Sequence, residues 1–322
     1  MEVEKGRSRE SSPRKRDAIE SLLAKPPVIE KSAISQLRYL ILVDGLTTNP
    51  QDGQCPYRIY VWSVLLRTPP MKSSAYLGLV KKGPSVVYSK IRNDTFRTLA
   101  TDPFFRKKVS EDALIRLLNS FAWMSASGSS NNSDFYVQGM NVLAAPFLYA
   151  ARSESQAYFL FETLLTRDCP LYVQPTLEGV HTGLSLVDIC LEIIDPKLYE
   201  HLRSKYLSAE LYAFASVLTF SACTPPLSEV LVLWDFMFAY GFHMNILFVI
   251  AQLNLMREQI LQSNSPIGLL RSFPPLRSKE IIKLGISFVA RLPEHIYEAL
   301  ANHLHDPNVR DEIKKAFPDK VK

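Results

Sequence analysis

Apolar residues recur with a helical period along almost the whole chain from Ala18 onward, and this pattern restricts the fold most strongly. Sustained period-two alternation and Asn-Gly hairpin turns are absent, and no repeat of 33–45 residues occurs. The predicted helices lie at about 85–100, 110–124, 138–151, 155–166, 183–193, 195–204, 208–221, 227–240, 244–262 and 278–300. The sequence therefore predicts an all-α fold, irregular rather than a simple bundle, because many helices are short and separated by proline.

The most hydrophobic segment begins at Val230 and reads VLVLWDFMFAYGFHMNILFVIAQL. Asp235, His243 and Asn245 interrupt it, and Gly241 lies in its middle. A helix that crosses a bilayer needs about 20 consecutive apolar residues. The segment therefore predicts two buried helices joined near Gly241, without insertion into a membrane.

Composition limits the classes of function. The 322 residues are 47% hydrophobic and 21% charged, with a net charge of +5, which suits one large helical domain or two smaller ones. No basic patch is interleaved with aromatic residues, so nucleic-acid binding is not expected. The widely spaced cysteines form no C-x-x-C pair and are interpreted as free, mostly buried thiols of a reducing compartment, cytosolic or nuclear. They are Cys55, Cys169, Cys190 and Cys223.

The first 17 residues have the composition of a disordered charged tail. They carry six Lys or Arg and four Asp or Glu, and they lack the apolar core of a signal peptide. Within them Ser12 precedes Pro13 in SSPRK, a pattern similar to cyclin-dependent kinase sites. A plain solvated tail is the favoured interpretation, and phosphorylation of Ser12, which would reverse the local charge, is the alternative.

Signatures of autonomous catalysis are missing. His303 and His305 are two residues apart, so a helix would point them about 200° away from each other, and no metal site is predicted. The sequence contains neither G-x-S-x-G nor a P-loop, so nucleotide binding by the chain itself is not expected.

Two groups of polar residues lie within otherwise apolar helix patterns. Arg58 and Trp62 are four residues apart on one helix face, where the guanidinium can stack on the indole or reach a carboxylate; the stack is the favoured interpretation. Ile91, Asp94 and Arg97 follow at intervals of three. This spacing is predicted to lead from a buried edge at Ile91 to an exposed rim at Arg97, and by itself it indicates an ordinary surface ion pair.

A third group stands where a buried helix is predicted to begin. Ser133 or Asp134 can cap this helix, and Tyr136, Gln138 and Gly139 follow. If the segment is helical, Tyr136 and Gln138 point about 200° apart, so the tyrosine packs inward while the glutamine faces out. Asn141 is expected to make a local hydrogen bond. Capping alone does not explain Gln138.

Taken in this order, the three groups resemble the signatures of the TBC domain, the helical module of Rab-type GTPase-activating proteins. They match R-x-x-x-W, I-x-x-D-x-x-R and Y-x-Q, and the last match extends to YVQGMN. LRYLILVDGL near the start, PKLYEHL at 196–202 and LSEVLVLWD ending at Asp235 add to the resemblance, which covers about residues 30–300. It implies a TBC-type domain of two helical subdomains at 18–305, followed by a helical or frayed tail at 306–322.

The resemblance also implies roles for the residues. Arg97 would be an arginine finger and Gln138 a glutamine finger, both supplied in trans to the active site of a small Ras- or Rab-like GTPase. The protein would then be an activator rather than an enzyme, with no cofactor of its own, since GTP and Mg²⁺ belong to the GTPase. The implied supporting residues are Asp94, Tyr136, Gly139, Arg58, Trp62 and Ile91.

One departure points to a particular branch of the family. Many TBC domains carry an Arg-Trp pair on the helix before the LWD segment, and here that helix reads LYAFASVLTFSACTPP. The wording of YVQGMNVLAAPF and the compact size resemble the fungal mitotic-exit and septation branch, which implies a separate scaffold subunit and action at the spindle pole body. The alternatives are a helical scaffold that binds a GTPase or checkpoint partner without accelerating hydrolysis, and an activator of a membrane-traffic Rab.

Overall fold

The computed structural model describes residues 17–24, 30–69, 72–128 and 136–321. Within these ranges the chain is helical and has no strand, so the all-α prediction is confirmed. In chain order the helices are α1 (Ala18–Leu23), α2 (Glu30–Val43), α3 (Arg58–Leu65), α4 (Ser73–Val80), α5 (Tyr88–Thr95), α6 (Pro103–Lys108), α7 (Glu111–Gly128), α8 (Met140–Ala150), α9 (Glu154–Thr163), α10 (Glu178–Ile194), α11 (Pro196–Ser204), α12 (Ala209–Tyr212), α13 (Phe214–Leu218), α14 (Leu227–Tyr240), α15 (Met244–Leu255), α16 (Arg257–Gln262), α17 (Ile267–Leu270), α18 (Ser278–Val289), α19 (Glu294–Asn302) and α20 (Asn308–Ala316). Ser12, nearly all of the tail 1–17, and the cap candidates Ser133 and Asp134 lie outside the described residues.

Several predicted helices are shorter than expected or are divided. The helix predicted at 278–300 is two helices, because Pro293 cannot continue a helix from the residues before it and instead precedes α19. The helix predicted at 85–100 ends at Thr95, and Leu99 has a positive φ of 44°, which no right-handed helix accommodates. The segments predicted at 208–221 and 244–262 are likewise divided, into α12 and α13 and into α15 and α16.

The segment from Val230 forms two buried helices, as predicted. α14 ends at Tyr240 and α15 begins at Met244. Gly241 between them has a φ of 115°, a conformation that glycine adopts without the steric penalty of a side chain. Among the described helices, none is long and apolar enough to cross a membrane.

The core around α14 is aromatic and brings α3, α8 and α14 together. Trp62, Phe147, Trp234 and Phe238 pack with ring centroids between 4.6 and 6.3 Å apart, in stacked, tilted and edge-on arrangements. Such offset and edge-on contacts add to the stabilisation from burial. The packing of this core fixes α3 and α8 against α14, and α8 begins directly after Gln138 and Gly139.

The C-terminal part of the chain packs on the same domain. α20 lies against α10 and α19, with Val309 and Ile313 buried.

The four cysteines are free thiols, three of them buried and Cys223 partly so.

Buried histidines make the stability of the fold sensitive to acid. Burial lowers the pKa of His303 to about 3, while its Nε2 lies 2.9 Å from the Tyr172 hydroxyl. An unfolded histidine titrates near pH 6.5, so below that pH the unfolded chain takes up a proton that the folded chain excludes. Each such group therefore lowers the free energy of unfolding as pH falls, by roughly 1.4 kcal/mol per pH unit.

We therefore expect His303→Gln to lose less stability than the wild type on acidification. The difference in the change of unfolding free energy between pH 7 and 5 should be about 2 kcal/mol. Asp188, whose pKa burial raises to about 6, acts in the opposite direction in both proteins and cancels in the comparison. Urea unfolding at the two pH values measures the effect, and equal pH dependence in the two proteins would contradict it.

Candidate functional site

Arg58 and Trp62 meet on one carboxylate rather than on each other. Arg58 Nε and Nη2 each donate to Asp235 at 3.0 Å, and Trp62 Nε1 donates to the same carboxylate at 2.8 Å. The favoured prediction of a guanidinium–indole stack is wrong, and the carboxylate alternative is confirmed. All three side chains are buried, so Arg58 cannot reach a partner; it ties α3 to α14.

The second group changes from buried to exposed along α5 and the turn that follows it, as predicted. Ile91 is fully buried and Asp94 is 7% exposed, whereas the side chain of Arg97 is 55% exposed. The Arg97 guanidinium forms an ion pair with Asp94 Oδ1. Because α5 ends at Thr95, Arg97 projects from the turn beyond the helix rather than from the helix itself.

The third group precedes helix α8 instead of lying inside it. α8 begins at Met140, and Gly139 caps it with a φ of 110°, so the helix predicted from 138 starts two residues later. A side chain on Gly139 would be strained at this φ, and its Cβ would lie 2.8 Å from Leu218 Cδ2. Gln138 is exposed, and its side chain has no hydrogen-bond partner among the described residues.

Asp94 joins the second and third groups. One of its carboxylate oxygens accepts a hydrogen bond from the Arg97 guanidinium, and the other accepts a hydrogen bond of 3.0 Å from the Tyr136 hydroxyl. Burial and the adjacent Asp94 carboxylate raise the pKa of Tyr136, so this phenol remains a donor at neutral pH. Asp94 is therefore fixed by its hydrogen bond with Tyr136, just before α8, while its other oxygen pairs with Arg97.

Arg97 and Gln138 border the same groove, whose volume is about 590 Å³. The facing wall comes from Leu177, from α13 and from the residues that follow α13, including Phe214 and Leu218. Apart from Leu177, this wall belongs to the segment in which the sequence lacks the Arg-Trp pair. The groove thus places one exposed guanidinium, paired on one side with Asp94, and one exposed amide side chain beside an apolar surface.

Some participants could not be recognised from sequence spacing. Asp235 interrupts an apolar run and ends the LSEVLVLWD segment, and neither pattern indicates that it accepts hydrogen bonds from both Arg58 and Trp62. Thr98 was not singled out, yet its hydroxyl accepts a 2.8 Å hydrogen bond from Asn141 Nδ2. Their common signal is a polar residue at a buried position of an otherwise apolar pattern.

A profile of the Rab-GTPase-TBC domain matches residues 55–261, a range that contains all three groups. The chain belongs to this family. Accordingly, it is a GTPase-activating protein for small GTPases of the Rab and Ras type.

The sequence of this TBC domain is similar to those of two proteins named for cell division and the mitotic check point. It is 47% identical to cell division control protein 16 of Schizosaccharomyces pombe, over 89% of this chain and 94% of the relative. It is 49% identical to mitotic check point protein BUB2 of Saccharomyces cerevisiae, over 91% of this chain and 98% of the relative. The predicted resemblance to the fungal mitotic-exit and septation branch is confirmed.

Solved structures agree on the fold of the TBC domain. The crystal structure of the Ypt/Rab-GAP domain of Gyp1p superposes with a TM-score of 0.62 at 17% identity, covering 81% of this chain and 98% of that chain. A Chlamydomonas flagellar RabGAP TBC domain superposes with a TM-score of 0.59 at 18% identity, covering 88% of this chain and 87% of that chain. At these identities the likeness concerns the fold alone.

The described part of this TBC domain contains no group of three or more His, Cys, Asp or Glu side chains suited to a metal ion. His303 is fully buried against Tyr172 and Leu300. The groove carries a guanidinium and an amide, which suit the stabilisation of charge on a phosphate brought by another molecule.

Proposed function

We propose that this protein stimulates GTP hydrolysis by inserting Arg97 and Gln138 into the active site of a small GTPase. The observation that carries the proposal is that both side chains are exposed on one groove, while the neighbouring residues Asp94 and Tyr136 are buried. Arg97 pairs with Asp94, and Gln138 lies between Tyr136 and the start of α8.

The chemistry of phosphoryl transfer gives the two side chains separate tasks. Negative charge develops on the transferred phosphoryl group and the leaving oxygen, and a water must be held in line with them. Arg97 would neutralise this charge, and its planar guanidinium can bond two oxygens at once, which a lysine cannot do. Gln138 would orient the water through its amide, in place of the glutamine of the GTPase.

Asp94 would support this task by limiting the freedom of Arg97 before binding. An exposed arginine loses about 2 kcal/mol of side-chain entropy when it is fixed, and an ion pair to a buried carboxylate removes part of that loss beforehand. Mg²⁺ and the nucleotide would be carried by the GTPase, so the protein would complete a partner's active site rather than hydrolyse GTP by itself.

The names of the relatives support a role in the control of cell division. One is a cell division control protein and the other a mitotic check point protein. We therefore place the GTPase in the Ras-like group that controls mitotic exit or septation. In this proposal the protein works in the cytoplasm and at the spindle pole body, with a separate scaffold subunit.

The proposal is tested by single-turnover GTP hydrolysis with the full chain. A panel of mitotic Ras-like and membrane-traffic Rab GTPases, each loaded with GTP, is measured with and without the scaffold subunits of the fungal relatives. Stimulation of a Ras-like member supports the proposal, whereas stimulation of Rabs alone indicates the membrane-traffic alternative. Binding of GTPases without stimulation, with or without a scaffold subunit, would indicate the non-catalytic alternative.

Gln138→Ala should lower the stimulated rate by about 10²-fold, the usual effect of removing one positioned hydrogen-bond donor from an active site. Since the Gln138 side chain is exposed and makes no hydrogen bond with the described residues, the free energy of unfolding should change by less than about 0.5 kcal/mol. Gln51→Ala, which alters another exposed glutamine, is the control. Wild-type stimulation by Gln138→Ala would rule out the glutamine finger.

A further inference from the structure

Besides the Asp94–Tyr136 bond, a second buried side chain links the two segments that carry Arg97 and Gln138, the amide of Asn141. Asn141 is the second residue of α8 and is 5% exposed. Its Nδ2 donates to Thr98 Oγ1 at 2.8 Å, and its Oδ1 accepts from the Gly139 backbone N–H at 3.1 Å. Thr98 directly follows Arg97, and Gly139 directly follows Gln138.

The orientation of this amide is determined by its neighbours. A backbone N–H can only donate, so the oxygen of Asn141 must face Gly139 and its nitrogen must face Thr98. The Thr98 hydroxyl in turn donates to the Asp94 carbonyl at 3.1 Å, which leaves its lone pairs free to accept from Asn141. Asn141 Nδ2 also lies 3.4 Å from the Asp94 carbonyl, which can only accept, so the orientation of the amide cannot be reversed.

Asn141 also lies beside the Asp94–Tyr136 hydrogen bond without competing for it. The Tyr136 hydroxyl is 3.4 Å from Asn141 Oδ1 but 3.0 Å from the Asp94 carboxylate. A hydroxyl has one proton, and the closer, charged acceptor takes it. Asn141 is therefore free to link the Thr98 and Gly139 segments.

We infer that Asn141 is a positioning residue that fixes the Arg97 segment relative to the Gln138 segment, so that both side chains reach the GTPase in one rigid arrangement. This inference rests on the proposed function. Asn141 and Thr98 are buried and would not contact the nucleotide themselves. Their effect would come through position, and a displacement of about 1 Å can cost 10²-fold in rate.

Thr98→Val is the sharpest test, because valine has nearly the shape of threonine but lacks the hydroxyl. At saturating activator, the hydrolysis rate of the most responsive GTPase of the panel should fall about tenfold. The activator concentration for half-maximal rate should change less than twofold, since the contact surface is retained. Thr98→Ser restores the hydroxyl and should recover most of the rate.

Thr163→Val is the matched control. Thr163 is also buried, and its hydroxyl donates to the Phe159 carbonyl within α9. This variant loses a buried hydroxyl in the same way but should keep the wild-type rate. An equal loss of rate in Thr98→Val and Thr163→Val would show a general loss of stability and would overturn the inference.

Asn141→Ala and the double variant with Thr98→Val test whether the two residues act through the same bond. If they do, the double variant should be about as slow as the slower single variant, because the second change removes a bond already lost. If the rate reductions of the two single variants multiplied in the double variant, the inference would be overturned.

A measurement without GTPase separates this inference from the proposed function. Spin labels are attached to Arg97→Cys and Gln138→Cys in a Cys223→Ser background, since the other native cysteines are buried. The distance distribution between the labels should be narrow with native Thr98 and at least twice as broad with Thr98→Val. Equal widths would overturn the inference, whereas normal stimulation by Arg97→Ala and Gln138→Ala would reject the proposed function alone.

Discussion

Arg97→Ala should lower the stimulated rate of GTP hydrolysis by about 10³–10⁵-fold, equivalent to about 4–7 kcal/mol of activation free energy, the range known for arginine fingers supplied in trans. The loss is expected because no other guanidinium is found among the described residues that line the groove. The fold should be retained, since the Arg97 side chain is 55% exposed. Single-turnover hydrolysis with the responsive GTPase measures the effect.

Two further variants make this result specific. Arg97→Lys keeps the positive charge but loses the planar fork that bonds two oxygens, so it should recover only a small part of the rate. Arg92→Ala removes another exposed arginine, on α5 just before the Arg97 turn, and should stimulate like the wild type. If Arg92→Ala and Arg97→Ala behaved alike, whether both active or both inactive, the finger role of Arg97 would be contradicted.

Features determined by neighbours in the sequence could be predicted well. The division of the hydrophobic segment at Gly241 follows from its residue pattern and from the backbone freedom of glycine. The Asp94–Arg97 ion pair follows from a spacing of three residues, which brings two side chains onto the same side of a helical turn.

Features determined by distant parts of the chain could not be predicted in the same way. The partner of Arg58 is 177 residues away, and helix geometry alone does not distinguish a stack on Trp62 from a bond to a remote carboxylate. Tyr136 likewise bonds Asp94 across 42 residues. The start of α8 depends on Gly139, whose positive φ brings it against Leu218 of α13, and a local helix pattern contains no sign of that contact.

The candidate site combines both kinds of information. The resemblance could name Arg97 and Gln138, but it could not show that they border one groove or that a single carboxylate and a single amide link their segments. These links require tertiary structure, because α6 and α7 separate α5 from α8 along the chain. The catalytic proposal thus depends on packing in the core as much as on the exposed residues.

The largest loss of stability is expected when the buried ion pair between Arg58 and Asp235 is broken. Asp235→Ala should lower the free energy of unfolding by about 3–5 kcal/mol, because it leaves the Arg58 guanidinium buried without its counter-charge. Trp62 Nε1 would lose its acceptor at the same time. Urea unfolding followed by circular dichroism measures the change, and Asp235→Asn, which keeps an acceptor for Trp62, serves if the alanine variant does not fold.

An exposed ion pair of the same chemistry provides the comparison for Asp235→Ala. Arg277 and Glu280 are both more than half exposed and are 3.1 Å apart, so Glu280→Ala should change the unfolding free energy by less than about 1 kcal/mol. Replacing both buried partners, as Arg58→Met with Asp235→Leu, should cost less than Asp235→Ala alone, since no unpaired charge remains in the core. If Asp235→Ala were no more destabilising than Glu280→Ala, Arg58 would not depend on Asp235, and the link between α3 and α14 would have to come from the aromatic core alone.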